Sequence, residues 1–454
     1  MEKTEKLHRA MTRGRIGPLI LKLAIPNTVG LLVISAYSLA DSYFVSELGT
    51  EASAAVGVTF SLHVLIQAVG YTLGMGAGSL LSRSMGKQKI AEASQYALAA
   101  ILLSLLCGGA ISASGLAFRD PLLRLLGATE AVYPLASAYI TPLLWSAPAM
   151  CASFVFSQLL RAEGRAVYSM LGLAVGSGLN IALDPLFINV LDFGIAGAAI
   201  ATLISQCVSA LFLVCAYPLH HSHLQPFEKI RLSALLDTGK ILVAGLPSLF
   251  RQGFSGVAAI LLNRAAASSG DAAVAAMSLV SRIFILVFSL CLGIAQGMMP
   301  VAGYNHGAGN HERIRRAYLF SMIASTAVML LISIPLFLFS PQILAWFRDD
   351  PKLIEIGAFA LRAQSVVLFT HGTVTSTILL LQAIGHPYLG TLLAAARQGI
   401  FFLPLIFLLP VQWELTGVEL TQPTADALTL LFAIPFVLFS FFKIRDTQKL
   451  PDRN

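Results

Sequence analysis

Charged side chains are scarce in this sequence. Asp, Glu, Lys and Arg make up 12% of its 454 residues, whereas 56% are hydrophobic. That charged fraction is about half of what a soluble globular domain carries. The scarcity argues against a water-soluble globular class, and most of the charges fall in gaps between long apolar segments. The sequence therefore predicts an all-α integral membrane protein.

Cysteine is also rare, and the motifs of several enzyme classes are missing. The five cysteines lie in apolar segments without a CxxC pair, which favours inert thiols. The sequence has no Walker loop, dinucleotide fingerprint, HExxH motif or nucleophile elbow. We therefore expect neither an ATP-driven pump nor an enzyme embedded in the membrane. No cofactor is predicted, and no basic-aromatic stripe indicates nucleic-acid binding.

The apolar segments number twelve, each long enough to cross a bilayer as a helix. Their approximate limits are 17–44, 53–82, 93–117, 132–158, 167–191, 195–217, 237–263, 272–303, 317–340, 354–381, 387–410 and 424–442. The charged N-terminal stretch leads into the first span without a cleavage site of small residues, so we expect that span to be retained.

Basic residues predict the orientation of these spans. With both termini inside, nineteen of the thirty Lys and Arg residues lie in inner segments and five in outer loops. Such a bias marks the cytoplasmic side, so we expect both termini in the cytoplasm. The positive charge then faces membrane lipids with anionic headgroups.

The chain carries an internal duplication. A shift of 221 residues places Pro26 on Pro247 and Gly164 on Gly385, with the motif "LLRAEGR" over "LLQAIGH". Six spans separate each feature from its copy, so both halves have the same orientation, as in transporters with parallel repeats. The sequence predicts two six-helix lobes, 1–217 and 237–454, joined by a cytoplasmic linker at 218–236.

Two acidic residues lie well inside the predicted spans, Asp41 in the first and Asp184 in the fifth. Each has a polar neighbour four residues earlier on the same helix face, Tyr37 and Asn180 respectively. A carboxylate at membrane depth costs roughly 2.5–3.5 kcal/mol on insertion scales. The acids either are neutral and serve helix packing, or bind a proton or sodium ion. The cost favours an ion site, confined to the first lobe because the shift places leucines opposite both acids.

Polar and aromatic residues elsewhere in the spans are candidates for a substrate cavity. Arg251, Arg282 and Arg397 lie near the middle of second-lobe spans, where backbone carbonyls or Gln252 and Gln398 would satisfy them structurally. Contact with substrate is the alternative for these arginines. Aromatic and flexible side chains could line a tolerant apolar pocket. The predicted cavity residues are Tyr37, Phe60, Met75, Phe154, Gln252, Arg282 and Arg397.

Three segments carry a resemblance to a known family. They are "IPNTVGLLVISAYSLADSYFVSELGTEASAAVGV", "LLRAEGR" and "GSGLNIALDPLFI". With the twelve spans in two halves, the chain resembles the multidrug and toxic compound extrusion (MATE) family of the MOP superfamily. The segments "GLPSLFRQG" and "AAARQGIFFLP" are similar to the MepA-like bacterial branch.

The resemblance implies an antiporter, working as a monomer in the cytoplasmic membrane of a bacterium or archaeon. It would export cationic or amphipathic drugs in exchange for H⁺ or Na⁺ by alternating access. It implies an ion site at Tyr37, Asp41, Asn180, Asp184 and Thr202. No metal site is implied beyond possible sodium ligation by Asp41, Asn180, Asp184 and Thr202, whose hard oxygens suit that ion. The alternative is a lipid-linked oligosaccharide flippase of the same superfamily, which the three arginines favour.

Overall fold

The structure is a computed structural model that describes residues 2–217, 224, 236–347 and 350–446. The described chain is almost entirely helical. It folds into two compact units, the first comprising Met1–Lys6 and Val29–Gly245 and the second Leu7–Thr28 and Leu246–Asn454. Most of the predicted linker at 218–236 falls outside the described residues, so the predicted lobe boundaries stay a prediction.

The first eight helices run from the N-terminus to residue 215. They are α1 (Glu2–Arg13), α2 (Ile16–Ser46), α3 (Thr50–Gly86), α4 (Ile90–Ala117), α5 (Arg119–Leu125), α6 (Tyr133–Ala162), α7 (Ala166–Pro185) and α8 (Gly194–Cys215). A π-helical turn, Leu186–Val190, follows α7. Pro185 has no backbone N–H, so it cannot bond to the carbonyl of Ile181 one turn earlier, and the regular helix ends there.

In the described part of the chain, eight more helices follow the predicted linker. They are α9 (Thr238–Ala267), α10 (Asp271–Gly307), α11 (His311–Leu338), α12 (Ser340–Ala345), α13 (Pro351–Val367), α14 (Thr370–Ala383), α15 (Pro387–Ala395) and α16 (Leu403–Asp446). A π-helical segment, Ala396–Phe402, joins α15 to α16. Both π segments therefore lie inside the fifth predicted span of a half, 167–191 in the first and 387–410 in the second.

Nine helices in the described part of the chain are long and apolar enough to cross a membrane, or ten if the bent pair α13 and α14 is one span. That pair bends by 56°. The stretch Pro387–Phe442 is one of these nine, but it is interrupted at Trp413 and Glu414, whose backbone is not helical. The break makes two spans of it, and α9 adds a further 30-residue helix. These helices correspond to the twelve predicted spans.

Glycines with positive φ repeat at the predicted interval of 221 residues. Gly49 and Gly270 precede α3 and α10 with φ of 107° and 99°, and Gly164 and Gly385 follow α6 and α14 with φ of 81° and 87°. Only glycine adopts such angles without strain. After α6, the N–H of Arg165 donates to the carbonyl of Leu160, and the same 6→1 bond recurs after α14. The duplication is therefore also seen in the backbone conformation of the turns.

One predicted limit is wrong. The twelfth span was predicted to begin at residue 424, but helical backbone resumes directly after Glu414. The polar residues between Glu414 and that limit, including Glu419, lower the hydropathy there, so the start of the helix was not recognised in the sequence. Asp426 therefore lies about three turns inside a helix, not at its end.

Candidate functional site

One face of α7 positions the predicted ion site. Gly172, Gly176, Asn180 and Asp184 recur every four residues, so they lie on the same face, and all four are buried. A methyl group at Gly172 would overlap Leu213 of α8, and one at Gly176 would overlap Ser209. The glycines therefore allow α7 and α8 to pack backbone to backbone, which brings Asn180 against α8.

Asn180 links the two helices through its amide. The amide is oriented so that its nitrogen faces an acceptor and its oxygen faces donors. In this orientation, Nδ2 donates to Asp184 Oδ2 at 3.0 Å. Its oxygen then accepts from Oγ1 and the backbone N–H of Thr202, both at 3.2 Å. Such a bridge fixes the Asp184 carboxyl against α8. Exposure is 2% for Asn180, 0% for Asp184 and 2% for Thr202.

The helix α2 brings the second carboxyl to the same place. Tyr37 and Asp41 are both buried on one face of α2. The Tyr37 side chain interacts with Thr202 and is close enough to Asp41 and Asp184 for both carboxyls to influence it electrostatically. The charge of Asp41 also acts on Asp184. The structure thus brings all five residues of the predicted ion site together in the first unit.

A sixth residue lies beside this cluster and was not predicted from the sequence. Tyr139 of α6 is buried and interacts electrostatically with Asp41, Asp184 and Tyr37. No spacing relates Tyr139 to α2 or α7, because it arrives from a separate helix. Its position in an apolar span was the only available signal, and that signal is common to many core tyrosines.

Two carboxylate oxygens of this cluster meet no hydrogen-bond donor among the described residues. Oδ1 of Asp41 and Oδ1 of Asp184 are buried and accept no hydrogen bond from any residue that the structure describes. Buried polar atoms are normally bonded, and two like charges in a poorly hydrated place disfavour one another. The geometry fits a proton on one carboxyl, or a cation ligated by the free oxygens. Groups of three or more His, Cys, Asp or Glu suited to a heavier metal are absent from the described part of the chain.

The seven predicted cavity residues divide between the two units. In the first unit, Met75 and Phe154 are buried at 3% and 4% exposure, and the Phe154 ring packs against Tyr71 with centroids 4.7 Å apart. Phe60 is 54% exposed beside His63. Tyr37 belongs to the predicted ion site described above. The other three, Gln252, Arg282 and Arg397, lie in the second unit.

The three second-unit residues have different surroundings. Arg282 is exposed, whereas Gln252 is half-buried and its Nε2 meets no acceptor among the described residues. Arg397 lies on the π segment before α16, and its Nε donates to Oδ1 of Asp426 at 2.7 Å. The interpretation of Arg397 as satisfied by carbonyls or glutamines is therefore wrong, because its partner is a carboxylate.

Asp426 also overturns the expectation that buried membrane acids are confined to the first half. It is 1% exposed and accepts four hydrogen bonds. Beside Arg397, the donors are Gln422 Nε2 at 2.9 Å, Gln364 Nε2 at 2.6 Å and His371 Nε2 at 3.1 Å. These bonds saturate the carboxylate, whereas those of the first unit each keep a free oxygen.

The chain is similar to known transporters over most of its length. A family model described as MatE matches residues 26–186 and 247–408. The two matches begin 221 residues apart, which is the interval of the duplication. The chain is 25% identical to the multidrug export protein MepA of Staphylococcus aureus strain MRSA252 over 92% of both chains. It is 28% identical to a protein of Shewanella oneidensis named FAD transporter, over 91% of this chain and 92% of the relative.

Solved structures show the same fold. A crystal structure of MATE in complex with MaL6 superposes with a TM-score of 0.89 at 31% identity, over 97% of this chain and 99% of the other. An outward-facing conformation of a multidrug resistance MATE transporter of the MOP superfamily gives 0.87 at 31% identity, with the same coverage. A MOP superfamily transporter from Pyrococcus furiosus, described as having reverse polarity of its binding pocket, gives 0.88 at 30% identity, over 97% and 98%.

Proposed function

The chain belongs to the MatE family of membrane transporters, and from this premise we propose that it is a secondary antiporter for cationic or amphipathic drugs. It exchanges them for H⁺ or Na⁺ by alternating access in the cytoplasmic membrane of a bacterium or archaeon. Both termini lie in the cytoplasm, and a single chain is the working unit. The name of the relative MepA, a multidrug export protein, supports the substrate class.

The observation that carries this proposal is the pair of free carboxylate oxygens on Asp41 and Asp184. Buried unpaired charge is costly, so the site binds a proton or cation most strongly when both carboxyls are ionised. Asn180 and Thr202 supply further oxygen or amide groups within the same cluster. The coupling ion and a cationic drug then compete for the same negative charge, each favouring a different access state.

Proteoliposomes test the proposal. Purified protein is reconstituted with ethidium, and transport is followed under an imposed sodium gradient, an imposed proton gradient or neither. We expect transport against the ethidium gradient with one of the two ions. Transport at the same rate without any ion gradient would contradict antiport, and the ion that drives transport identifies the coupling ion.

The flippase alternative depends on basic residues facing an anionic lipid. Arg397 is paired with Asp426 and so supplies no net positive charge. That pairing removes one of the three arginines on which the flippase alternative depends. FAD belongs in the same transport assay, because a relative at 28% identity is named a FAD transporter. Transport of FAD without transport of ethidium would replace the cationic substrate class by an anionic one.

A further inference from the structure

The guanidinium of Arg397 sits among a carboxylate and two aromatic rings within the second unit. Its Nε is 2.7 Å from Asp426 Oδ1. Its Cζ lies 4.9 Å from the ring centroid of Phe284 and 5.8 Å from that of Phe288. Both rings come from α10, whereas the carboxylate comes from α16. We call Asp426, Phe284 and Phe288 the cation cage.

This combination of groups is a receptor for organic cations. Aromatic faces attract a cation within about 6 Å of the ring centroid, and the attraction grows when the cation is desolvated. The buried carboxylate adds a full opposite charge. Quaternary ammonium and phosphonium ions suit such a cage because they carry charge on an apolar body. The protein fills the cage with its own cation.

We propose that the cation cage binds organic cations and that Arg397 is an internal competitor which leaves when such a ligand enters. The inference takes from the proposed function only that cationic drugs are substrates, and it gives them a second binding place, in the second unit, besides the carboxyls of the first unit. An arriving cation replaces the charge of Arg397, so Asp426 is not left unpaired during the exchange.

Several features make Arg397 the movable member of the cluster. It contacts Asp426 through Nε alone, and its buried Nη2 meets no acceptor in the described part of the chain. It also lies on a π-helical segment, a type of irregularity common at functional sites. The side chain retains 15% exposure, so the cage has an opening.

Asp426, by contrast, is held in place without Arg397. Gln364 of α13, His371 of α14 and Gln422 of α16 all donate to it. The His371 ring meets both phenylalanine rings edge-on, with centroids 5.1 Å from Phe284 and 5.6 Å from Phe288. The carboxylate and the rings therefore keep their positions when the guanidinium moves away.

Equilibrium binding of tetraphenylphosphonium to the purified full chain in detergent, with no ion gradient, tests the inference. Arg397→Gln removes the competitor and keeps a donor for Asp426. If Arg397 fills the cage in nine molecules of ten, we expect its removal to raise the affinity about tenfold. Asp426→Asn should lower the affinity by about tenfold or more, since a close charge pair is lost. Tetraphenylborate, which has the same size and the opposite charge, should gain no affinity in Arg397→Gln.

Phe284→Leu provides a variant that leaves the charges unchanged and so is expected to fold. We expect it to weaken tetraphenylphosphonium binding between about two- and fivefold, the range of one cation–π contact. Phe407→Leu, an exposed position in the same unit, is the matched control and should have no effect. Each variant is first checked for a single cooperative thermal transition.

Opposite results would overturn the inference. Unchanged or weaker tetraphenylphosphonium binding in folded Arg397→Gln, together with no effect of Phe284→Leu, means that Arg397 only supports the fold. Weaker tetraphenylborate binding in Arg397→Gln would make the cluster an anion site. The assay contains no ion gradient, so a failure of antiport in proteoliposomes leaves this outcome unchanged, and the two proposals fail separately.

Discussion

Arg397 Nε lies 2.7 Å from Asp426 Oδ1, although the kink at Trp413 and Glu414 separates the two residues along the chain. Asp426 of the second unit is therefore buried next to a cation of the same unit. Asp41 and Asp184 of the first unit have no such partner among the described residues, and each keeps a buried oxygen without a donor. This contrast is why the exchangeable ion is proposed for the first unit.

Neutralising either first-unit acid should abolish coupled efflux and leave the fold intact. Asp41→Asn and Asp184→Asn keep the side-chain volume and remove a buried charge, so thermal stability should be unchanged or higher. The measurement is ethidium transport by proteoliposomes under the driving ion gradient. Asp192→Asn is the control, since Asp192 is exposed with φ of 55°, an angle that Asn tolerates. Efflux at the native rate in both acid variants would leave the carboxyls with a packing role only.

Thr202 distinguishes a sodium site from a proton site. Thr202→Val removes the hydroxyl and preserves the shape, whereas Thr202→Ser keeps the hydroxyl. If sodium is the coupling ion, Val should weaken its binding by up to about tenfold, the equivalent of one lost polar contact, and Ser should restore it. Sodium-dependent protection against thermal unfolding gives the affinity. Equal sodium affinities in the native, Val and Ser proteins would remove Thr202 from the ligand set.

Much of the fold and of the first-unit site could be predicted from the sequence. The apolar spans, the duplication and the polar pairs on α2 and α7 are local patterns, because each is read within one helix. The contact between Asn180 and Thr202 depends on the packing of α7 against α8, which no pattern within one helix shows. Thr202 was named as a site residue only because of the resemblance to a known family. Tyr139 carries no local pattern, so its arrival at the site follows from tertiary packing alone.

The second-unit network escaped prediction for a different reason. Asp426 lies in a segment whose polar residues lowered its average hydropathy, so it was placed at the edge of a span. Glu419, Gln422 and Asp426 follow helical spacing, which indicates one polar face of a buried helix. A second signal was the presence of arginines in spans without an assigned acid, since buried charges are normally paired. Together these signals could have predicted a buried ion pair.

The close approach of α3 and α9 within the first unit depends on Gly76. A methyl group there would overlap the carbonyl of Ile241. Backbone at this distance cannot yield as a flexible side chain would, so Gly76→Ala should cost about 1–3 kcal/mol. Gly57, exposed in the same helix, has open space around it, and Gly57→Ala should be neutral or slightly stabilising. The midpoints of thermal unfolding in detergent compare the two. Equal midpoints would mean that the helices separate at no cost.

The pair formed by Arg397 and Asp426 should show strong coupling in a double-mutant cycle. Asp426→Leu leaves the guanidinium of Arg397 without its partner and should cost about 3–5 kcal/mol in unfolding free energy. Arg397→Met should cost less, about 1–2 kcal/mol, because three other donors still hold Asp426. The double variant removes both charges but leaves three donors of Asp426 without an acceptor, so it should be less destabilised than the sum of the two single variants. Unfolding by titration with sodium dodecyl sulfate measures all four proteins.

The exposed pair formed by Lys240 and Asp237, 2.9 Å apart, provides the control for that cycle and should show no measurable coupling, because water screens it. If the buried pair behaved like the exposed one, Asp426 would have to find its charge balance elsewhere. Arg397 could then not be its counter-ion, and the contrast between the two units that places the exchangeable ion in the first would be lost. Strong coupling would instead identify Arg397 as the counter-ion of Asp426, the role that an arriving organic cation takes over in the proposed exchange.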